Sequence, residues 1–150
     1  MKPETIAEGL SLNYPMELLD PRKVPEAGEI EEVEAGFEDE AIQAIIKKAE
    51  NNGYKYANGR GRYFNYSYDI INGAICWHTD PGLGKVALAL LNNGHNDICG
   101  CQLITKHGAL NVNQGDVIVF NADEKHAWIS NSWCIVATVT VSKSRSKSHV

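Results

Sequence analysis

The residues of this chain best equipped for chemistry are a histidine and an aspartate two positions apart, His78-Thr79-Asp80 in the run CWHTDPG, and a later histidine, His126. Side chains two apart on a strand point to the same side, so His78 and Asp80 can share one ion. A third ligand must come from elsewhere, and the remaining candidates are His95, His107, His126 and His149. His126 has the best setting, because it opens a β-like run directly after DVIVFNADEK and can fold back across a sandwich. His107 is the substitute, although Lys106-His107-Gly108 reads as a hairpin turn. Two neutral imidazoles and one carboxylate on a single face leave coordination positions open on Fe(II), and open positions mean catalysis rather than a structural site. Taken singly, His78 and Asp80 are a polar strand end and His126 a surface residue; the joint pattern is what points to a metal.

The elements that must position these groups follow from periodicity. Residues 39–52, DEAIQAIIKKAENN, place Ile42, Ile45, Ile46 and Ala49 on one helical face. Acidic residues at the start, Lys47 and Lys48 near the end and Gly53 just beyond agree with the helix dipole and a glycine stop. After Gly53 the pattern changes to short β-like runs at 63–70, 74–78, 85–91, 99–104, 109–113, 116–121, 126–130 and 133–141. Turn residues such as Asn72-Gly73, Pro81-Gly82 and Gln114-Gly115 separate them. Eight closely spaced short strands predict a β-sandwich or jelly roll rather than βαβ units.

The chain has 150 residues, 43% of them hydrophobic, enough for one core and of ordinary single-domain size. Residues 1–30 hold four of the five prolines and read as an irregular arm packed on a domain spanning 31–142, with 143–150 a flexible basic tail. No apolar run approaches the roughly 18 residues that span a bilayer, and the N-terminus lacks a secretory h-region, so a cytoplasmic protein without membrane contact is expected. Cys76, Cys99, Cys101 and Cys134 fall in strand-like segments and read as reduced core thiols. Cys99-Gly100-Cys101 is too tight for a zinc knuckle. Net charge is −5, with the acidic excess in residues 1–50. Arg60, Arg62 and the tail SKSRSKSHV are only locally basic, which leaves nucleic acid possible but unsupported as a partner beside a small-molecule or peptide substrate.

In order, the chain offers VEAGFEDEAIQAIIKKAE (33–50), RYFNYSYDI (62–70), His78-Thr79-Asp80, ALALLNN (87–93), GDVIVF (115–120) and His126. This order and spacing resemble the Fe(II)- and 2-oxoglutarate-dependent dioxygenases, in particular the small prolyl-4-hydroxylase-like branch, over roughly residues 30–141. The resemblance implies a mainly β fold with some α, a double-stranded β-helix or jelly roll with an N-terminal helix packed on it. It implies that His78, Asp80 and His126 hold Fe(II), with 2-oxoglutarate as cosubstrate and dioxygen as oxidant, and that a substrate such as a peptidyl or amino-acid side chain is hydroxylated. On the aromatic strand Tyr63, Tyr66 and Tyr68 precede the motif, and Tyr68 is the one expected nearest the metal.

The family usually sets an arginine near the start of the last strand to hold the far carboxylate of 2-oxoglutarate. Here those positions read Trp133-Cys134-Ile135-Val136. The anchor then moves to Lys143 or Arg145, or to Lys85 or Lys106, or 2-oxoglutarate is not the cosubstrate, because a buried carboxylate without a cationic partner costs several kcal/mol. Two other readings of the same residues stay open: a cupin-like metal or small-ligand binding module without turnover, and a structural jelly roll in which His78 and Asp80 are incidental.

Overall fold

The computed structural model describes residues 1–58, 65–94 and 100–144. Arg60, Arg62, Tyr63, His95, Cys99, Arg145 and His149 lie outside the described residues. In chain order the elements are β1 (Glu4–Ala7), β2 (Ile30–Glu34), α1 (Glu40–Asn51), β3 (Tyr54–Tyr56), β4 (Tyr66–Asn72), β5 (Ile75–His78) and β6 (Lys85–Asn92). Then follow β7 (Cys101–Thr105), β8 (Gly108–Val112), β9 (Val117–Asn121), β10 (His126–Ile129) and β11 (Trp133–Lys143), with 3₁₀ turns at Met16–Leu19 and Pro21–Lys23.

The strands form two antiparallel sheets. The larger runs β1-β9-β6-β11-β4-β2, with β3 also paired to β11, and the smaller runs β5-β10-β7-β8. From β4 onward the chain passes back and forth between them: β4, β6, β9 and β11 lie in the large sheet, and β5, β7, β8 and β10 in the small one. That connectivity is a double-stranded β-helix, so the expected jelly-roll class with a packed N-terminal helix is the one observed.

Strand alternation builds two cores on either side of the large sheet. On its outer face Tyr68, Ile70, Ala87, Ala89, Ile135, Ala137 and Val139 meet Ile42, Ile45 and Ala49 of α1. Small alanines in β6 and β11 let the helix lie close, and burying each isoleucine contributes about 1.5–3 kcal/mol. On the inner face Val86, Leu88, Leu90, Ile118, Phe120 and Val136 meet Leu103, Val112 and Trp128 from the small sheet. Residues before Ile30 run along the outer side, where Leu18 is buried and β1 pairs with β9.

Periodicity placed the helix within a residue at each end, and Ala41, Ile42, Ile45, Ile46 and Ala49 are its buried positions. Strands β1, β2 and β3 went unexpected. β2 reads IEEVE, and its pattern of mostly exposed side chains fits an edge strand that, among the described residues, only β4 pairs with. Strand β11 runs to Lys143, so that lysine belongs to the sheet and not to a tail. Cys101 and Cys134 are buried free thiols, but Cys76 is exposed. It lies on β5, the edge of the small sheet, where its neighbour Trp77 is exposed as well. Among the described residues no helix is long and apolar enough to cross a membrane.

Candidate metal centre

The two histidines reach the same place by strand pairing. β10 lies antiparallel to β5 with His126 opposite His78, so the imidazoles are cross-strand neighbours with ring centroids 4.3 Å apart. Asp80 follows just past the end of β5, where its backbone N–H donates to the Ala122 carbonyl at 2.9 Å. The turn Pro81-Gly82 then reverses the chain, with Gly82 at φ +85°. Asp123 clamps this turn by accepting from the Gly82 N–H at 2.9 Å. The ligand-bearing segment is therefore tied to the β9–β10 connection that leads into His126.

Both imidazoles are also oriented by the main chain. His78 Nδ1 lies 2.7 Å from the Cys76 carbonyl oxygen, and His126 Nδ1 lies 2.8 Å from that of Glu124. A carbonyl only accepts, so each Nδ1 carries the proton and donates, which leaves each Nε2 with its lone pair in the neutral ring. These nitrogens face one carboxylate: His126 Nε2 is 3.2 Å and His78 Nε2 3.8 Å from Asp80 Oδ2. The donor atoms of the three residues all lie within 4.8 Å of one another, a group that could hold a metal ion. Metal-binding histidines commonly carry a hydrogen bond of this kind on the other ring nitrogen.

His126 is the most buried of the three, at 6% side-chain exposure against 31% and 32% for His78 and Asp80, and Phe120 packs edge-on against it at 5.1 Å. Burial opposes its protonation, but hydrogen bonds with Asp80 and with the Glu124 carbonyl, and the charge of Asp80, together hold its pKa above the ordinary histidine value. A cation between Nε2 and the carboxylate would take the place of the proton that this raised pKa favours.

The triad stands at one side of a cavity of about 240 Å³ between the two sheets. Its apolar wall includes Leu88, Leu103, Phe120 and Trp128; its polar wall, from β2, β4 and β11, carries Glu32, Ser67, Asp69, Thr138 and Thr140. Asp69 sits across from Glu32 on paired strands. Burial first, and the Glu32 charge second, push its pKa up to about 7. Glu32 is raised as well, by desolvation and by the charge of Asp80.

Sequence reasoning missed this acidic wall. The signal is present in YSYDI (66–70), where small or acidic residues alternate with aromatic ones, whereas the expectation sets Tyr68 nearest the metal. The structure puts Tyr68 on the outer face, in the helix-side core, where its hydroxyl donates to Asp39 Oδ2 at 2.9 Å. Strand period forces this, because Ser67 and Asp69 take the cavity side. Lys143 shares the outward parity of Val139 and Val141 on β11, and its Nζ lies 5.7 Å from the centroid of the Tyr54 ring, away from the cavity. Neither Lys85 nor Lys106 lines the cavity, and His107 sits in the β7–β8 turn, outside the cluster.

No protein-family model matches the chain, and no curated protein matches it in sequence. Among solved structures it is similar to a cupin-2 domain protein from Shewanella frigidimarina, at 10% identity and TM-score 0.39, covering 68% of this chain and 98% of that one. A protein from Neisseria meningitidis aligns at 15% identity and TM-score 0.38 over 56% of this chain and 84% of its own. A cupin domain from Bordetella pertussis aligns at 12% identity and TM-score 0.36 over 57% and 90%.

Proposed function

We propose that His78, Asp80 and His126 hold one Fe(II) and that the protein is an iron-dependent oxygenase acting on a small molecule or single side chain in the adjoining cavity. The observation that carries this reading is the shared aim of two Nε2 lone pairs and one carboxylate oxygen at the cavity wall, with both Nδ1 protons committed to carbonyls. The donor set fits the metal: two imidazoles and a carboxylate suit iron(II) and leave positions for substrate and dioxygen. When bound, such an ion supplies the redox chemistry and a Lewis-acid centre. The chain does the rest: β5 and β10 fix the ligand geometry, Asp123 holds the turn that carries Asp80, and the apolar wall limits water around the reacting centre.

The resemblance to the prolyl-4-hydroxylase-like branch would add 2-oxoglutarate. The described cavity does not fit its far carboxylate, since no described lysine or arginine lines the wall and Glu32 and Asp69 do. Anion against anion in a half-buried site is unfavourable.

The test is anaerobic loading with Fe(II). One equivalent is expected to bind the wild-type chain and not Asp80→Ala, and oxygen uptake above that of free iron, with a small organic substrate as electron donor, is expected only with the triad intact. Equal binding and uptake in Asp80→Ala would overturn the reading. Added 2-oxoglutarate is expected to give neither a visible chelate band nor succinate; their appearance would restore the cosubstrate and put its anchor outside the described residues.

A further inference from the structure

We propose that the cavity beside the triad takes a small organic cation, a primary amine or guanidinium compound that also bears an oxygen acceptor, with Asp69 and Glu32 holding its positive charge. The inference rests on the metal-centre reading above and names the substrate class for that site.

The first observation is the one-sided charge of the wall. Asp69 and Glu32 are cross-strand partners, both line the cavity, and Asp80 lines it too, with no described lysine or arginine among the lining residues. Like charges set directly opposite on paired strands repel, and here burial adds to the cost. The protein offers Asp69 only neutral company: the Ser67 hydroxyl donates to its Oδ1 at 3.3 Å and is itself 3.2 Å from Thr138 Oγ1. Among the described residues nothing donates to Asp69 Oδ2, so a positive group in the cavity would be its one charged partner. A charge-assisted hydrogen bond of that kind is stronger than a neutral one.

The second observation is independent of charge. Trp128 lines the same cavity and is 4% exposed, and its indole Nε1 is the buried side-chain polar atom that lacks a hydrogen-bond partner among the described residues. Its described polar neighbour is the Cys134 thiol, and a thiol sulfur is only a weak acceptor. An indole N–H only donates, and a buried donor left unpaired calls for an explanation, commonly a missing water or ligand. A hydroxyl or carbonyl on the ligand would supply the acceptor. Cavity size agrees with a ligand of few atoms, since about 240 Å³ lies below the usual range for drug-sized molecules.

The experiment is calorimetric titration of the Zn(II)-loaded full chain with ethanolamine and argininamide, against succinate and 2-oxoglutarate at matched ionic strength. At least one amine probe is expected to bind and the dicarboxylates not, with amine affinity falling about tenfold in Asp69→Asn and in Glu32→Gln. Preference for a dicarboxylate over both amines, or amine affinity unchanged in both variants, would overturn the proposal. The wild-type comparison decides even where a variant folds poorly. Repeating the titrations without metal separates the two readings. A chain that binds Zn(II) but neither amine sinks the cation proposal and leaves the metal centre standing. A chain that takes no metal yet binds an amine through Asp69 sinks only the metal-centre reading.

Discussion

His78 and His126 face each other across the β5–β10 pair with ring centroids 4.3 Å apart, and each is held by a main-chain carbonyl two residues before it. Both rings are thereby pre-set, so losing either removes a fixed donor and not a mobile one. His78→Ala and His126→Ala are each expected to weaken Zn(II) affinity by on the order of 100-fold or more, beyond what loss of an orienting partner alone does. Competition with a chelator of known affinity measures this. An affinity unchanged in either variant would remove that histidine from the site.

Metal should also stabilise the fold, because its ligands converge only in the native chain. At a free Zn(II) concentration 100 times the dissociation constant the gain is about 2.7 kcal/mol. For a chain of this size that raises the melting temperature by about 5–10 °C. Thermal unfolding with Zn(II), then with EDTA, checks the rise and its reversal. A rise of the same size in Asp80→Ala would mean that the ion stabilises from another place.

Tyr68 provides a control on which face of β4 meets the site. Its hydroxyl donates to Asp39 in the helix-side core. Tyr68→Phe is therefore expected to cost about 1 kcal/mol of stability while leaving metal affinity and cavity binding as in the wild type. Denaturant unfolding reads the first and calorimetry the second. A loss of metal affinity would contradict the outward placement of this side chain.

What was legible in the sequence was whatever leaves a period or a local spacing. The isoleucines of α1, the alternating strands from β4 to β11 and the His78-Thr79-Asp80 pair all do so, and the position of His126 follows from strand order. The acidic wall does not. Whether Ser67 and Asp69 or Tyr66 and Tyr68 face the cavity is one choice of parity, and it is fixed by α1 covering the other side of the large sheet. A strand with aromatic residues on one face is equally good against a helix or against a cavity. β1 escaped notice because its four residues gain their order from pairing with β9, a long-range contact that local propensity does not report. Lys143 was misplaced because β11 continues farther than its apolar pattern suggests, carrying the lysine outward with it.

Asp69 gives the last expectation. Its carboxyl is pushed up to about 7, by burial first and by the Glu32 charge second, from an ordinary value of 3.8. The folded chain thus holds the proton more tightly than the unfolded one, so the native state is favoured while the group is protonated in both. Stability is then lost as pH rises from about 4 to about 7, and the penalty is complete above that. The whole shift corresponds to about 4 kcal/mol, and because Asp69 keeps some contact with the solvent of the cavity, about 2 kcal/mol is the expected share. Asp69→Asn removes the charge and keeps the shape, so in metal-free protein the variant should match the wild type near pH 4 and exceed it by about 2 kcal/mol at pH 8. Urea unfolding of both chains across this range checks the difference between the curves, which cancels the titration of groups not coupled to Asp69. Parallel curves would show that Asp69 carries no such penalty. A growing gap would mean that the fold retains, at its own expense, a carboxylate in the cavity wall, as expected of a group kept for binding rather than for stability.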